Sequence, residues 1–503
     1  MPPKIPSIKH SSLINLLGAV IPLLVTLLTL PFFLPLVGEF RYGALMLLWA
    51  VLGYMGVLDL GLGRAVSQRI ALLDAQQHPR SERDHATANV LWGGMVLSLL
   101  MGLLGGAALA WLAPWVSSTV FNAPPELQLE LKDALAWMVL ALPLATLSSV
   151  LTGALQGRHA FVALNISQVV GSVLALVFPL LLALGGMLSL SLLFAAMIVA
   201  RGVQLLLLYR ACRQLVSAAP PRLGLAQIPS LLRFGGWVSV SSVLNPILEL
   251  TDRFVIGHRL DMAAVTAYTV PYSLATRLSL VPGSLSSVLF PRFSSVSGFE
   301  AQVLMLRARL VLTAIMTALI VPGILLVPAF LSLWLGSDLG ERMAPVAVIL
   351  LVGIWMNALA FLPYSYLQAQ GRPDLPAKLH LLEVLPYLAF LWWAIGVWGI
   401  QGAALAWTLR VSVDSVLLFS VAHRHGTPST QLSWQSGLGL AAAAALIISA
   451  ALTMLIFAHE PSLAYGLGLS ILALLALWLW KNTPHELQDF ARLLLRKLRV
   501  SAS

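Results

Sequence analysis

Apolar residues run along this chain in stretches of about twenty, and short polar segments separate them. About 20 consecutive apolar residues are needed for a helix to cross the hydrocarbon core of a bilayer. Fourteen stretches meet that length: 13–36, 43–62, 89–115, 134–156, 161–184, 188–209, 235–257, 264–290, 308–333, 344–367, 380–397, 399–422, 437–458 and 462–480. The tightest joints fall at Gly185-Gly186 and at Trp398-Gly399, where a single turn separates two spans. The pattern predicts an all-α integral membrane protein of about fourteen transmembrane helices. No loop is long; the longest lie near 63–88 and 210–234.

The spans repeat. Gln156-Gly157-Arg158 in the first half answers Gln370-Gly371-Arg372 in the second, each joining one long span to the next. Pro22 and Pro246 sit in the leading spans, Arg64 and Arg292 end the second spans, and Arg201 and Arg410 lie inside the sixth and twelfth. The shared order predicts two six-helix bundles around a central cavity, 1–233 and 234–436, followed by a helix pair at 437–482. Parallel repeats of this kind are a common plan for secondary transporters, with the site where the repeats meet. The tail, 483–503, opens with Thr483-Pro484-His485-Glu486, a capping box. Leu487, Phe490, Leu493, Leu494 and Leu498 then recur at helical spacing among basic residues. That pattern predicts an amphipathic helix on the inner membrane surface.

Composition agrees with the pattern. Of 503 residues, 59% are hydrophobic and 10% charged, where a soluble domain carries roughly a quarter charged. The net charge of +10 reads, in a membrane protein, as a loop bias rather than a nucleic-acid surface. With the N-terminus inside, Arg41, Lys132, Arg253, Arg259 and Arg342 fall outside, Arg201, Arg277 and Arg410 at depth, and all other Lys and Arg residues inside. The positive-inside rule then places both termini in the cytoplasm. Lys4 and Lys9 precede an apolar run too long for a signal h-region, so the first span is expected to stay. The lone Cys212 excludes an internal disulfide framework.

Little enzyme chemistry is written here. There is no GxxxxGK[ST] for a nucleotide, no HExxH, no GxSxG and no clustering of histidines. No cofactor is expected, and the short outer loops leave no room for a folded domain. The informative polar residues lie inside spans, where each ionised group costs about 2.5–3.5 kcal/mol even on the lenient insertion scale. Asn245, Glu249, Asp252 and Arg253 share one face of the seventh span, and Arg277 and Tyr272 lie in the eighth. A structural Glu249–Arg277 pair and the lining of a wet cavity both fit, and the adjacent polar stripe favours the cavity. Asp252 and Arg253 fall in the outer third, where Arg can snorkel to the interface. Arg410 and Asp414 are four apart and can neutralise each other. Arg201 has no evident local partner, and Glu383 falls only a few residues inside the eleventh span.

Leu58-Asp59-Leu60-Gly61-Leu62-Gly63-Arg64-Ala65, closing the second span, resembles a motif of bacterial polysaccharide and O-antigen flippases. These are the Wzx-type members of the MOP superfamily, which also contains MATE exporters. Thr251-Asp252-Arg253-Phe254-Val255-Ile256-Gly257 with Ala267-Tyr268 is similar to the start of that family's second bundle. The Gln-Gly-Arg segments resemble its inner hairpins. The resemblance covers essentially the whole chain. It implies a flippase, not an enzyme, of the bacterial cytoplasmic (inner) membrane. Its cargo would be an undecaprenyl-pyrophosphate-linked oligosaccharide moved from inner to outer leaflet by alternating access. The implied partners are the lipid-linked glycan, membrane lipid, and glycan polymerase and export proteins, with no nucleic acid. A MATE-like small-molecule antiporter is the alternative. In the flippase reading Arg277 and Arg201 meet the pyrophosphate, Asn245 and Tyr272 line the cavity, and Glu249 carries a coupling proton. The arginine- and serine-rich N-terminal pattern of lipid II flippases is missing, which argues against a peptidoglycan precursor.

Overall fold

The computed structural model of the chain describes residues 8–54, 62–75, 80–115, 125–158, 160–216, 249–296, 298–424 and 430–482. The described residues are helical. They form α1 (Ile8–Val37), α2 (Glu39–Tyr54), α3 (Leu62–Ala75), α4 (Arg80–Trp115), α5 (Pro125–Ala136), α6 (Met138–Gly157), α7 (Phe161–Leu184) and α8 (Leu190–Val216). A helical stretch over 249–259, here α9, is followed by α10 (Met262–Thr276), a 3-10 turn at Arg277–Ser279 and α11 (Leu280–Ser295). The chain continues through α12 (Gly298–Leu335), α13 (Ser337–Ala369), α14 (Asp374–Arg424), α15 (Thr430–Ile456) and α16 (Pro461–Asn482).

Ten of the described helices are long and apolar enough to cross a membrane. α14 is two helices joined at Gly399, whose φ of 57° and ψ of −135° fall outside the helical region, so it supplies both spans expected around Trp398-Gly399. Other expected spans are broken or shifted. The stretch 264–290 is interrupted by the 3-10 turn at Arg277. The stretch 43–62 begins earlier, at Glu39 in α2 (Glu39–Tyr54), and Leu62 begins α3; residues 55–61 lie outside the described residues. The stretch 134–156 divides at Trp137 into α5 and α6. Hydropathy locates lipid-compatible chain; it does not see a local switch from α to 3-10 bonding. The tail, 483–503, lies outside the described residues.

The chain divides into two compact units, 1–266 and 267–503. In the first, α6 packs against α3, α4 and α8, and α7 packs against α1 and α8. The core joins Leu62, Val66 and Ile70 of α3 to Val90 and Leu91 of α4, Val150, Leu151 and Ala154 of α6, and Leu208 and Cys212 of α8. Lipid tails are as apolar as leucine, so close packing rather than hydrophobicity draws such helices together. Small residues make that possible. A Cβ on Gly153 would stand 2.0 Å from the Gly63 carbonyl oxygen, so α3 and α6 cross backbone to backbone. Gly63 of the LGLGR motif therefore serves close packing; Asp59 and Gly61 lie outside the described residues.

In the second unit α13 is the hub, packing against α11, α12, α14 and α15. Trp355 is 2% exposed, and its indole N–H donates to Thr317 Oγ1 at 3.0 Å. The Gln370-Gly371-Arg372 segment ends α13 with Gly371 at φ 74°, and the Arg372 N–H donates back to the Leu367 carbonyl at 2.9 Å. That is a helix-ending geometry a glycine adopts without a Cβ penalty. Gln370 Nε2 also donates to the Phe293 carbonyl at 2.6 Å, tying the end of α13 to α11. Large apolar side chains cover the outside of many helices, among them Leu24, Leu28 and Phe32 of α1 and Leu381, Leu382 and Leu385 of α14. This is the surface a bilayer solvates.

Candidate functional site

From Ser273 to Ser287 the exposed positions form one helical stripe, Ser273, Arg277, Leu280, Ser284 and Ser287, and further along α11 the apolar Val288 and Phe290 are exposed as well. Intervals of three and four residues keep the first five on one side. Four of the five are polar, whereas the exposed stripe of α1 is Leu24, Leu28 and Phe32. Serine hydroxyls can be satisfied by their own helix: Ser273 donates to the Val270 carbonyl at 2.8 Å, Ser284 to Leu280 at 2.7 Å and Ser287 to Ser284 at 2.8 Å. Arg277 is exposed and stands about 22 Å along from Met262, at 1.5 Å for each of 15 residues. A guanidinium at that depth faces water or another polar partner, not hydrocarbon.

The other expected residues divide. Asn245 lies outside the described residues. Glu249 is half-buried at the start of the described part of α9, and its carbonyl accepts a hydrogen bond from Arg253 Nη1. Asp252 is 0% and Arg253 7% exposed. Their side chains approach to 3.6 Å, and the Arg253 N–H donates to Asp252 Oδ1 at 2.7 Å. The expectation that they sit at the interface is corrected: both are buried by protein, which a count of depth along one helix cannot reveal. Tyr272 is also buried, stacked on Tyr268 at 5.7 Å and edge-on to Trp407 at 5.4 Å. It packs α10 on α14.

Arg201 has the local partners that sequence reading did not assign. Its guanidinium carbon lies 4.7 Å from the centre of the Trp49 ring, and Nη1 donates to Gln204 Oε1 at 3.4 Å. The second contact, three residues along the same helix, was legible; the first needs α2 beside α8. Arg201 lies about 16 Å from the start of α8 and Trp49 about 15 Å from the start of α2, so the two meet at one depth. Cation–π stacking of this kind is worth up to about 2 kcal/mol when desolvated. The Arg201 Nε is buried and makes no hydrogen bond.

At the Glu39 end of α2 the first unit is tied by one carboxylate. Arg41 donates from Nε to Glu130 Oε2 at 2.9 Å and from Nη2 to Oε1 at 2.8 Å. The Leu190 N–H, in the first turn of α8, donates to the same Oε2 at 3.0 Å. Glu130 thus joins α2, α5 and α8. Hydrogen bonding from Arg41, aided by the Leu190 N–H and opposed by partial burial, holds its carboxyl below the usual carboxylate range. At the opposite end, Arg158 Nη2 meets Asp84 Oδ1 at 2.9 Å. An open groove on the first unit, lined by Met95, Leu147, Leu151, Leu205, Leu206 and Tyr209, is apolar and offers a sugar little to bind.

α14 departs most from expectation. Arg410 and Asp414, four residues apart, form no direct ion pair. Asp414 Oδ1 lies 3.4 Å from His380 Nε2, and the Arg410 guanidinium lies 5.4 Å from the Tyr387 ring centre. Glu383, expected near the interface, is 7% exposed. α14 begins at Asp374, six residues ahead of the expected span start at 380, and neighbouring helices bury this part of it. Among the described residues no group of three or more His, Cys, Asp and Glu side chains is arranged to hold a metal ion.

Comparison with known proteins agrees with this architecture. A family model described as "Polysaccharide biosynthesis protein" matches residues 8–297. A candidate O-antigen transporter of Shigella flexneri is 27% identical over 413 residues, 82% of this chain and 97% of that protein. Among solved structures, lipid II flippase MurJ in an inward closed conformation superposes with a TM-score of 0.67 at 14% identity, over 92% of this chain and 98% of that one. An inward-facing multidrug-resistance MATE transporter of the MOP superfamily superposes with a TM-score of 0.64 at 17% identity, over 81% of this chain and 97% of that one. The fold is that of the MOP superfamily, and the chain is a multi-pass membrane protein.

Proposed function

The chain belongs to the polysaccharide biosynthesis protein family, and from that premise we propose that it is a flippase for undecaprenyl-pyrophosphate-linked oligosaccharide repeat units. It moves them from the inner to the outer leaflet of the bacterial cytoplasmic membrane by alternating access, with both termini cytoplasmic. The observation that carries this reading is the exposed polar stripe of α10 and α11 with Arg277 at its centre. A charged group at membrane depth needs an aqueous cavity, and a planar guanidinium suits a pyrophosphate, whose oxygens it can engage in pairs.

Arg201 is the second anion-binding candidate. Trp49 holds one face of its guanidinium, leaving the edge N–H groups to meet an anion. Glu249 is the carboxylate expected to carry a coupling proton, and Asn245 to line the same path. The two-bundle division at 233/234 is part of this proposal. The likeness to MATE transporters is one of fold. A small cationic drug calls for cavity carboxylates, whereas Arg277 and Arg201 favour an anionic cargo.

The test is export in cells whose own copy is deleted. Arg277→Ala abolishes surface or exported polysaccharide while the protein still inserts at normal level, and Arg277→Lys restores only part of it. Full export by Arg277→Ala removes the stripe from the substrate path.

A further inference from the structure

Along α8 the apolar groove of the first unit keeps to one face and ends on charge. Gly202, Leu206 and Tyr209 line it, and Arg213 follows them. Steps of four, three and four residues hold these four positions on one side of the helix. Leu147 and Leu151 of α6 line it too, and the groove holds about 330 Å³. Leu206 and Tyr209 are 49% and 42% exposed. Arg213 is exposed in the last turn of α8, and Arg210, three residues before it, is exposed as well.

Gly202 has no packing reason. A Cβ there would meet no atom within 4 Å, whereas one on Gly153 would strike backbone. Glycine inside a helix is destabilising relative to alanine, and here its effect is to leave the groove open. The depth of the groove is that of one leaflet. Gly202 lies about 18 Å from the start of α8 and Arg213 about 35 Å, at 1.5 Å per residue. A hydrocarbon core about 30 Å thick puts the glycine near its middle and the arginine at its surface. Tyr209 falls near that boundary, where tyrosine is favoured. Trp92 of α4 donates its indole N–H to the Val216 carbonyl at 3.2 Å, which ties down the end of α8. At this end Asp84 is taken by Arg158. Among the described residues Arg210 and Arg213 form no ion pair.

We propose that the groove binds an anionic phospholipid of the surrounding membrane. One acyl chain lies between Gly202 and Tyr209 against α6, and the phosphate meets Arg213 and Arg210. Basic ends of grooves between membrane helices suit such headgroups. In the topology proposed above this is an inner-leaflet lipid; the site itself rests only on the chain being a membrane protein. Arg201, next to Gly202 in sequence, turns away to Trp49 of α2, so the groove is not the place assigned to the cargo. Its length fits a phospholipid chain, and an undecaprenyl chain is much longer. A lipid that binds only the folded groove stabilises the first unit.

The test uses the purified full-length protein in neutral detergent, with phosphatidylglycerol and phosphatidylcholine of identical chains as probes. Native mass spectrometry reads binding, and phosphatidylglycerol with a photoreactive group in its acyl chain locates the chain. We expect phosphatidylglycerol to bind more tightly than phosphatidylcholine and to leave its adduct on peptides containing Leu151 or Leu206. Arg210→Gln with Arg213→Gln should weaken phosphatidylglycerol about 10- to 30-fold, since each arginine at an anionic lipid surface contributes a factor of about five. Phosphatidylcholine should be unaffected. Both arginines are exposed, so their replacement leaves the packing intact. Gly202→Leu, whose Cβ enters open space, should remove the adduct without changing the thermal unfolding of the lipid-free protein. Equal binding of the two lipids overturns the proposal. So does an affinity unmoved by the arginine pair, an adduct confined to other helices, or an adduct that survives Gly202→Leu. Displacement of phosphatidylglycerol by an equal concentration of undecaprenyl phosphate also overturns it, because the groove would then belong to the cargo path. None of these measurements involves glycan export, so failure of the lipid site and failure of the flippase reading are distinguishable.

Discussion

Replacing Glu130 by Ala removes three hydrogen bonds at once: two from Arg41 and one from the first turn of α8. Hydrogen bonds to charged groups contribute about 1.5–3 kcal/mol when protected from water. Here the side chains of Arg41 and Glu130 are 28% and 25% exposed, so water replaces part of what is lost. The pair is then worth about 1–2 kcal/mol, and the negative charge at the α8 N-terminus adds about 0.3–1 kcal/mol. We expect Glu130→Ala to destabilise the first unit by about 2 kcal/mol, a factor of about 30 in its folding equilibrium. Glu130→Gln keeps an acceptor for the Leu190 N–H and costs about half of that. The assay is denaturant or thermal unfolding of the detergent-solubilised protein, with Arg41→Ala completing a double-mutant cycle.

The pH dependence fixes the sign. The folded Glu130 carboxyl titrates below its ordinary value of 4.5, so its contribution is complete above that value and is lost as pH falls through the lower folded value. The gap between wild type and Glu130→Gln should therefore be constant at neutral pH and close in acid. Equal stability of Glu130→Ala and wild type at neutral pH would refute the reasoning. A gap that widens on acidification, or additive effects of Arg41→Ala and Glu130→Ala, would do the same.

Three further outcomes are expected. Trp49→Leu removes the platform under Arg201, a loss of about 0.5–2 kcal/mol, and should weaken binding of a lipid-linked pyrophosphate to the purified protein by about 2- to 30-fold. Unchanged binding would detach Arg201 from the cargo. Gly153→Val places side-chain carbon against the Gly63 carbonyl, which a Cβ would meet at 2.0 Å; yield of folded protein should fall sharply, since neither backbone can move aside. Normal yield would mean that α3 and α6 do not cross so closely. Glu249→Gln should weaken the dependence of export on the proton gradient, and unchanged dependence would remove Glu249 from coupling.

The candidate site was partly legible. Arg277 could be singled out because arginine inside an apolar run is conspicuous, and the serines one and two turns away share its face. Glu383 and Asp414 were misplaced because each was read on its own helix. Asp414 was paired with Arg410 four residues away, the nearest partner in sequence, while the fold turns it to His380. One signal could have found them: two carboxylates equidistant from a glycine turn lie side by side in an antiparallel hairpin. Asp252 and Arg253 were assigned to the interface by depth alone, and the structure buries them.

Sequence by itself determined that this chain lives in lipid, that its elements are helices, and where most of them run. The bilayer imposes those features segment by segment, because each span must satisfy its own backbone and bury its own length. Which faces meet was decided only by the tertiary structure. Between helices in lipid, contact is selected by how closely backbones can approach and which polar groups are then left to pair, as where Gly63 meets Gly153 or Arg201 meets Trp49. Those choices depend on the rotation and crossing of two helices together, and no periodicity within either one contains them.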